Sequence, residues 1–289
     1  MQTVTNLCRK VGFIREIKRM SLNSVHTKTR TGFVDGGKYS QGRPSYTEEA
    51  VSYIANLLID GKLSGPGKGN VSYDVVELGA GTGKFTEKII TKLPQDIKYL
   101  ATEPMDGFLG TLKDLCPSVD TKQCTANNIP LPENSVRNVI AAQCFHWFAS
   151  VESLSEISRV LVPGGRFVMI WNNKDWSVPW VKDFEVILSN YYTSDTPRAI
   201  NRTWKTVIEN FPGFLCKEHT FKTGIDFQGN KDFVVSHFCT ISVIASLPDD
   251  EKEAVRQKMY KILDSHEETR EKDIIKIPFE TEIYHSVKA

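Results

Sequence analysis

The stretch Val75-Val76-Glu77-Leu78-Gly79-Ala80-Gly81-Thr82-Gly83-Lys84-Phe85-Thr86 constrains this chain more than any other. Two β-branched residues followed by three alternate glycines predict a buried strand that runs into a tight turn, with a helix starting near Lys84. Glycine takes positive φ at such a turn and lets a ligand approach the backbone without meeting a Cβ. Spacing narrows the kind of cradle. A phosphate-binding Gly-x-x-x-x-Gly-Lys-Ser/Thr loop would put its first glycine at Leu78 and its hydroxyl at Phe85, and so fails twice. A dinucleotide Gly-x-Gly-x-x-Gly/Ala fingerprint from Gly79 would put Lys84 where a small residue belongs. The remaining pattern is an acid and three alternate glycines, written by Glu77, Gly79, Gly81 and Gly83 with Ala80 between the first two glycines.

Downstream stretches fit a ligand at the same end of a sheet. After a helix over 84–93 that Pro94 ends, Lys98–Thr102 reads as a strand delivering Glu103, twenty positions after Gly83. A carboxylate at that strand tip can accept from both hydroxyls of an adenosine ribose, with Pro104 and Met105 beside it. Val136–Ala142 reads as another strand, ending in Gln143-Cys144-Phe145-His146-Trp147-Phe148. Ligands of open parallel sheets lie beyond the carboxyl ends of the strands, which places Gln143, Phe145, His146 and Trp147 at a reaction site. Phe145 and Phe148 also fit a helix start packed on the core. His146, with an ordinary pKa of about 6.5, suits proton removal or substrate orientation.

The glycine pattern resembles motif I of the class I S-adenosylmethionine-dependent methyltransferases, and further stretches resemble the same family in order. Tyr39-x-x-x-Arg43-Pro44-x-Tyr46 is similar to a segment of type 11 methyltransferases resembling trans-aconitate methyltransferase. Cys124-Thr125-Ala126-Asn127-Asn128-Ile129-Pro130 resembles the stretch that holds the adenine, and Gln143–Phe148 is close to the family's Q-A-F-H-W-F. Leu161-x-Pro163-Gly164-Gly165-x-Phe167 and the C-terminal Ile277-Pro278-Phe279-x-Thr281-x-x-Tyr284 are similar as well. The resemblance covers about Phe33 to Lys288. It implies an α/β Rossmann-like, mostly parallel seven-stranded sheet in the order 3-2-1-4-5-7-6, the last strand antiparallel, with helices on both faces and a helical cap. It implies S-adenosylmethionine as cofactor, bound by Tyr39, Arg43, Glu77, Gly79, Ala80, Gly81, Gly83, Glu103, Pro104, Met105, Ala126, Asn127 and Gln143. Phe145, His146 and Trp147 would meet the substrate, His146 and Gln143 are the catalytic candidates, and Arg43 is available to a carboxylate. Two positions depart from the family: Thr125 stands where an aspartate would accept from the adenine amino group, leaving Asn127 or a backbone carbonyl to substitute, and Asn138 replaces an aspartate ahead of the fourth strand.

Residues 1–32 form a basic leader in which Arg9, Lys10, Arg15, Lys18, Arg19, Lys28 and Arg30 face one acid, Glu16. An amphipathic mitochondrial presequence and a cytosolic leader both fit it. Residues 33–289 read as one methyltransferase domain in which 174–268 contribute the cap, rich in aromatic residues from Trp176 to Phe214. Thr47 is expected to cap a helix through Leu58, 61–70 to be a loop, Lys222–Phe227 to be the sixth strand, Pro248–Asp264 a helix, and Arg198, Arg202 and Lys205 to share a helix face. With 36 basic and 35 acidic side chains the net charge of +1 gives no global field for nucleic acid, and no apolar run approaches the roughly 20 residues of a membrane span. Six cysteines without C-x-x-C spacing indicate neither a zinc site nor a disulfide framework, so a reducing, cytoplasmic setting is the default. The expected reaction is methyl transfer to a small molecule, a carboxylate among the candidates. A transfer RNA or protein methyltransferase and a non-catalytic cofactor-binding regulator are the alternatives.

Overall fold

A computed structural model describes residues 43–59, 71–194 and 196–289. The basic leader, Tyr39 and the loop expected at 61–70 lie outside the described residues. The strand predicted from Val75 and Val76 is β1 (Tyr73–Leu78), and its alternating side chains explain why both successive valines are apolar. Val75 packs on one face of the sheet with Ile54 and Leu58 of α1 (Glu48–Ile59), while Val76 packs on the other with Leu154 and Ile157 of α4 (Val151–Val160). A strand covered by helices on both sides has no polar face to show, which is the signature of a parallel α/β sheet.

Between those helices run α2 (Thr86–Ile90), β2 (Tyr99–Thr102), α3 (Asp106–Leu115), β3 (Asp120–Lys122) and β4 (Val136–Ala142), and β5 (Leu161–Lys174) follows α4. The chain then builds α5 (Pro179–Ser189), α6 (Thr203–Asn210), β6 (Phe214–Thr223), β7 (Phe227–Gly229), α7 (Lys231–Cys239), α8 (Ser242–Ala245), α9 (Asp249–Ser265), β8 (Ile275–Ile277) and β9 (Phe279–Lys288). The main sheet has the order β3-β2-β1-β4-β5-β9-β6. Because β7 and β8 form a separate pair, β9 is its seventh strand, antiparallel to β5 and β6, as expected. The expected cap at Thr47 forms, Ala50 N–H donating to its Oγ1 (3.2 Å), and α4 is capped likewise, Ser153 N–H donating to Ser150 Oγ (3.2 Å).

Local boundaries shift for identifiable reasons. α2 is five residues long rather than spanning 84–93. Gly83 at φ 89° holds the chain out of the helix, and beyond Ile90 the bonds close three residues apart (Lys92 N–H to Ile89 O, 3.0 Å) ahead of Pro94. Residues 162–165 loop out within β5, between the pairs Val136↔Leu161 and Asn138↔Arg166. The sixth strand is Phe214–Thr223, not 222–227; it is an edge strand whose polar residues Lys217–Thr220 hide it from pattern reading. Arg198, Arg202 and Lys205 share no helix face, because Ala199–Asn201 is a 3-10 turn and Arg202 takes φ 52° before α6 begins.

Helices α5, α7, α8 and α9 pack around Trp180, Phe184, Phe238 and Met259 to form the cap over the carboxyl ends of the central strands. The aromatic residues Trp204, Phe211 and Phe214 belong instead to the sheet: Trp204 stacks on Trp171 of β5 with centroids 4.1 Å apart. No helix among the described residues is long and apolar enough to cross a membrane.

The close approach of α3 to the glycine turn makes a measurable demand. A Cβ at Gly83 would stand 2.7 Å from Leu112 Cδ1 at a φ that side chains rarely adopt, whereas one at Gly107 of α3 meets nothing within 4 Å. Urea denaturation should show Gly83→Ala destabilised by about 1–3 kcal/mol. Gly107→Ala should be unchanged or more stable by up to about 1 kcal/mol.

Candidate active site

The cleft is about 340 Å3 and opens where β1, β2, β4 and β5 end beneath the cap, a size suited to small molecules. Its floor is the glycine turn. Gly79, Gly81 and Gly83 have φ of 65°, 59° and 89°. The turn is fixed by Ala80 N–H donating to Thr102 O (2.9 Å) and Gly83 N–H to Ala80 O (3.0 Å). A Cβ at Gly79 would press on Cys144 Sγ at 3.0 Å, while one at Gly81 would meet no protein atom within 4 Å. Gly79 therefore serves packing, and Gly81 leaves backbone open to the cleft. Gly83 does not line the cleft at all; it admits Leu112.

Two acids stand at this turn. Glu77, fully buried, accepts from Thr86 Oγ1 (2.6 Å) and Tyr99 OH (2.7 Å) on one oxygen, and its other oxygen has no partner among the described residues. Burial pushes its carboxyl up to about 7 against those two hydrogen bonds. Glu103 accepts from Gly81 N–H (2.9 Å) on one oxygen and from Met105 N–H (3.0 Å) on the other. Burial raises it to about 7 as well. Each Glu103 oxygen receives a single donor, which leaves acceptor capacity on both for the two hydroxyls of a ribose. The residues present therefore fit an adenosyl group.

The cleft brings together Arg43, Glu77, Gly79, Ala80, Gly81, Glu103, Pro104, Ala126, Gln143, His146 and Trp147. Besides Gly83, three expected residues fall outside it. Asn127 is exposed, with Cys124, Thr125 and Ala126 lining the wall instead. Met105 contributes its N–H to Glu103 and no wall, the ring of Phe108 standing there. Phe145 is fully buried among Phe148, Phe167 and Trp204, because the 3-10 turn Phe145–Trp147 points its first ring into the core.

His146 is not set up to receive a proton. Its Nδ1 accepts from Trp171 Nε1–H (3.2 Å), which assigns the proton to Nε2, and burial drives its pKa down to about 3. It presents a neutral N–H donor. Gln143, at φ 60°, anchors its own N–H on Ile170 O (2.8 Å) and its side-chain amide on Asn172 O (3.4 Å).

On the cap side, Lys174 and Glu185, which sequence reasoning missed, join Arg43 and Arg198. Arg43 donates to Thr240 O (2.9 Å), and its carbonyl accepts from Lys84 Nζ (2.6 Å). Lys174, the last residue of β5, is held down to about 7 by burial and then by the charge of Arg43. Arg198 donates to Glu185 Oε1 (2.5 Å) and lies 3.9 Å over the ring of Tyr192. The strand-end rule applied to Asn172-Asn173-Lys174 would have found Lys174. Nothing in the sequence pattern marks Glu185 or Tyr192.

The burial of Glu77 predicts a pH signature. An unfolded glutamate titrates at about 4.3, so between there and about 7 the native protein holds a proton that the unfolded chain has lost, and stability falls as pH rises. Glu77→Gln keeps an oxygen for Thr86 and Tyr99 and removes this term. Its melting temperature relative to the parent should rise from pH 5 to pH 8 in thermal denaturation. A difference independent of pH would place the Glu77 charge elsewhere.

Comparison with known proteins agrees with this geometry. A family profile described as a methyltransferase domain matches residues 76–169. Over 263 residues the chain is 32% identical to an uncharacterized methyltransferase-like protein of Schizosaccharomyces pombe, covering 90% of this chain and 96% of that one. An uncharacterized methyltransferase of the same yeast is 31% identical over 263 residues, 90% of this chain and 97% of its own. The YcgJ protein of Bacillus subtilis shares the fold with a TM-score of 0.53 at 12% identity, over 84% of this chain and 99% of that chain. Similarity that runs through almost the whole length of such relatives makes the chain a member of the class I S-adenosylmethionine-dependent methyltransferases.

Proposed function

We propose that the protein methylates a small-molecule acceptor that carries a carboxylate. One observation carries this reading: the cap end of the cleft gathers Arg43, Lys174 and Arg198 against a single acid, Glu185. An anionic acceptor would balance that charge. The helices covering the cleft support a small acceptor over a folded RNA or protein.

When bound, S-adenosylmethionine supplies an electrophilic methyl group on an already activated sulfonium. Glu103 and the open backbone at Gly81 would hold its adenosyl part, with Ala126 of the cleft wall available to the adenine. The remaining work of the protein is positioning and exclusion of water, for which Trp147, Phe148 and Trp176 line the walls. A carboxylate arrives deprotonated and needs no base, which agrees with the state of His146. Its Nε2–H orients an acceptor oxygen.

Purified protein incubated with methyl-labelled S-adenosylmethionine and a deproteinised metabolite extract should label a small-molecule fraction retained on anion exchange. Label confined to RNA or protein fractions run in parallel would overturn the proposal. Gly81→Asn, with a side chain that tolerates positive φ, should abolish transfer while circular dichroism stays native, because the side chain fills open cleft. His146→Gln should lower turnover by no more than about tenfold; a loss of about a hundredfold or more would restore a proton-transfer role.

A further inference from the structure

At the cap end of the cleft two charged side chains line one space without completing each other. Lys174 Nζ lies 4.9 Å from the ring centroid of Phe238, 5.4 Å from Phe279 and 5.8 Å from Trp176. These ring faces are its contacts, and no oxygen among the described residues accepts from it. Glu185, on α5, gives Oε1 to Arg198, whose guanidinium is itself fixed on Tyr192. Glu185 Oε2 is buried and has no donor among the described residues. The two residues feel each other's charge, yet they form no ion pair. Anchoring Arg198 requires one carboxylate oxygen. It does not require burying the other, and an unmatched buried acceptor is costly unless something donates to it.

We propose that the acceptor is a small acid that also bears a hydroxyl or amino group, its anionic oxygen reaching Lys174 and its O–H or N–H donating to Glu185 Oε2. This rests on the small-acceptor reading above and narrows it. A plain acid would satisfy Lys174 and leave Glu185 Oε2 buried without a donor. A neutral alcohol would do the reverse. A site whose buried polar groups expect a partner discriminates strongly against analogues that lack it. The lowered pKa of Lys174 agrees, since an arriving anion stabilises its charged form.

The test isolates the acceptor labelled from the extract, identifies it by mass spectrometry, and measures its KM with the parent protein, Lys174→Met and Glu185→Gln. Binding of S-adenosylhomocysteine to each variant checks that the fold is intact, and Glu185→Gln retains an oxygen for Arg198. The expected acceptor is an acid with a hydroxyl or amino group, and both substitutions should raise its KM at least about tenfold with S-adenosylhomocysteine affinity unchanged. With the analogue lacking that donor group, Glu185→Gln should no longer differ from the parent. A carboxylate acceptor without a donor, or an unchanged KM in Glu185→Gln, would overturn this inference and leave the small-acceptor reading standing, whereas an uncharged acceptor would overturn this inference and the carboxylate part of that reading. Label found only in macromolecules would overturn both.

Discussion

The tips of the first two strands are held together by hydrogen bonds that a cofactor site depends on. Ala80 N–H reaches Thr102 O, and Gly81 N–H reaches the Glu103 carboxylate, so the glycine turn of one strand and the acid of the next form a single unit. That unit exists only because three glycines take positive φ, which frees backbone N–H groups to point at an acid and not into a helix. Glu77 stands below it, fully buried, tying the turn to Thr86 and Tyr99. Two carboxyls raised to about 7 at one turn oppose folding, and a ligand that donates hydroxyls to Glu103 offsets part of that opposition.

The sheet determines what else can reach this turn. Parallel strands need crossover helices, and those cover both faces, so the cleft can open only at the carboxyl ends of the strands. β4 delivers Gln143 and His146 there, and β5 delivers Asn172, Asn173 and Lys174. The cap closes the space opposite with Glu185 of α5 and Arg198 of the segment that follows it. Trp171 links the layers: its indole N–H holds His146 while its ring stacks on Trp204. The cofactor half of the cleft is thus built by local turns, and the acceptor half by contacts between distant segments.

That division explains what could be read from the chain. Gly79, Gly81 and Glu103 announce themselves because a positive-φ turn and a strand-tip acid are local requirements with few alternative residues. Val136–Ala142 matches β4 at both ends, since burial on both faces leaves the apolar run Val139–Ala142, with Arg137 and Asn138 interrupting only its start. Phe145 was not separable from Trp147, because consecutive aromatic residues carry no periodicity to say which one faces the cleft. The role of His146 was hidden by a partner 25 positions away, Trp171. Lys174 lies past the apolar part of β5, where the run ends although the ladder to β9 continues. Glu185 and Arg198 meet only through tertiary folding, and no spacing rule connects them.

The central claim is that the glycine turn and Glu103 together bind the adenosyl group. Isothermal titration of S-adenosylhomocysteine against the parent protein and Glu103→Ala tests it most directly. The account predicts one site per chain in the parent and an affinity at least about tenfold weaker in the variant, since two charge-assisted hydrogen bonds are lost. Equal affinity in the two proteins, or no binding to the parent, would contradict it.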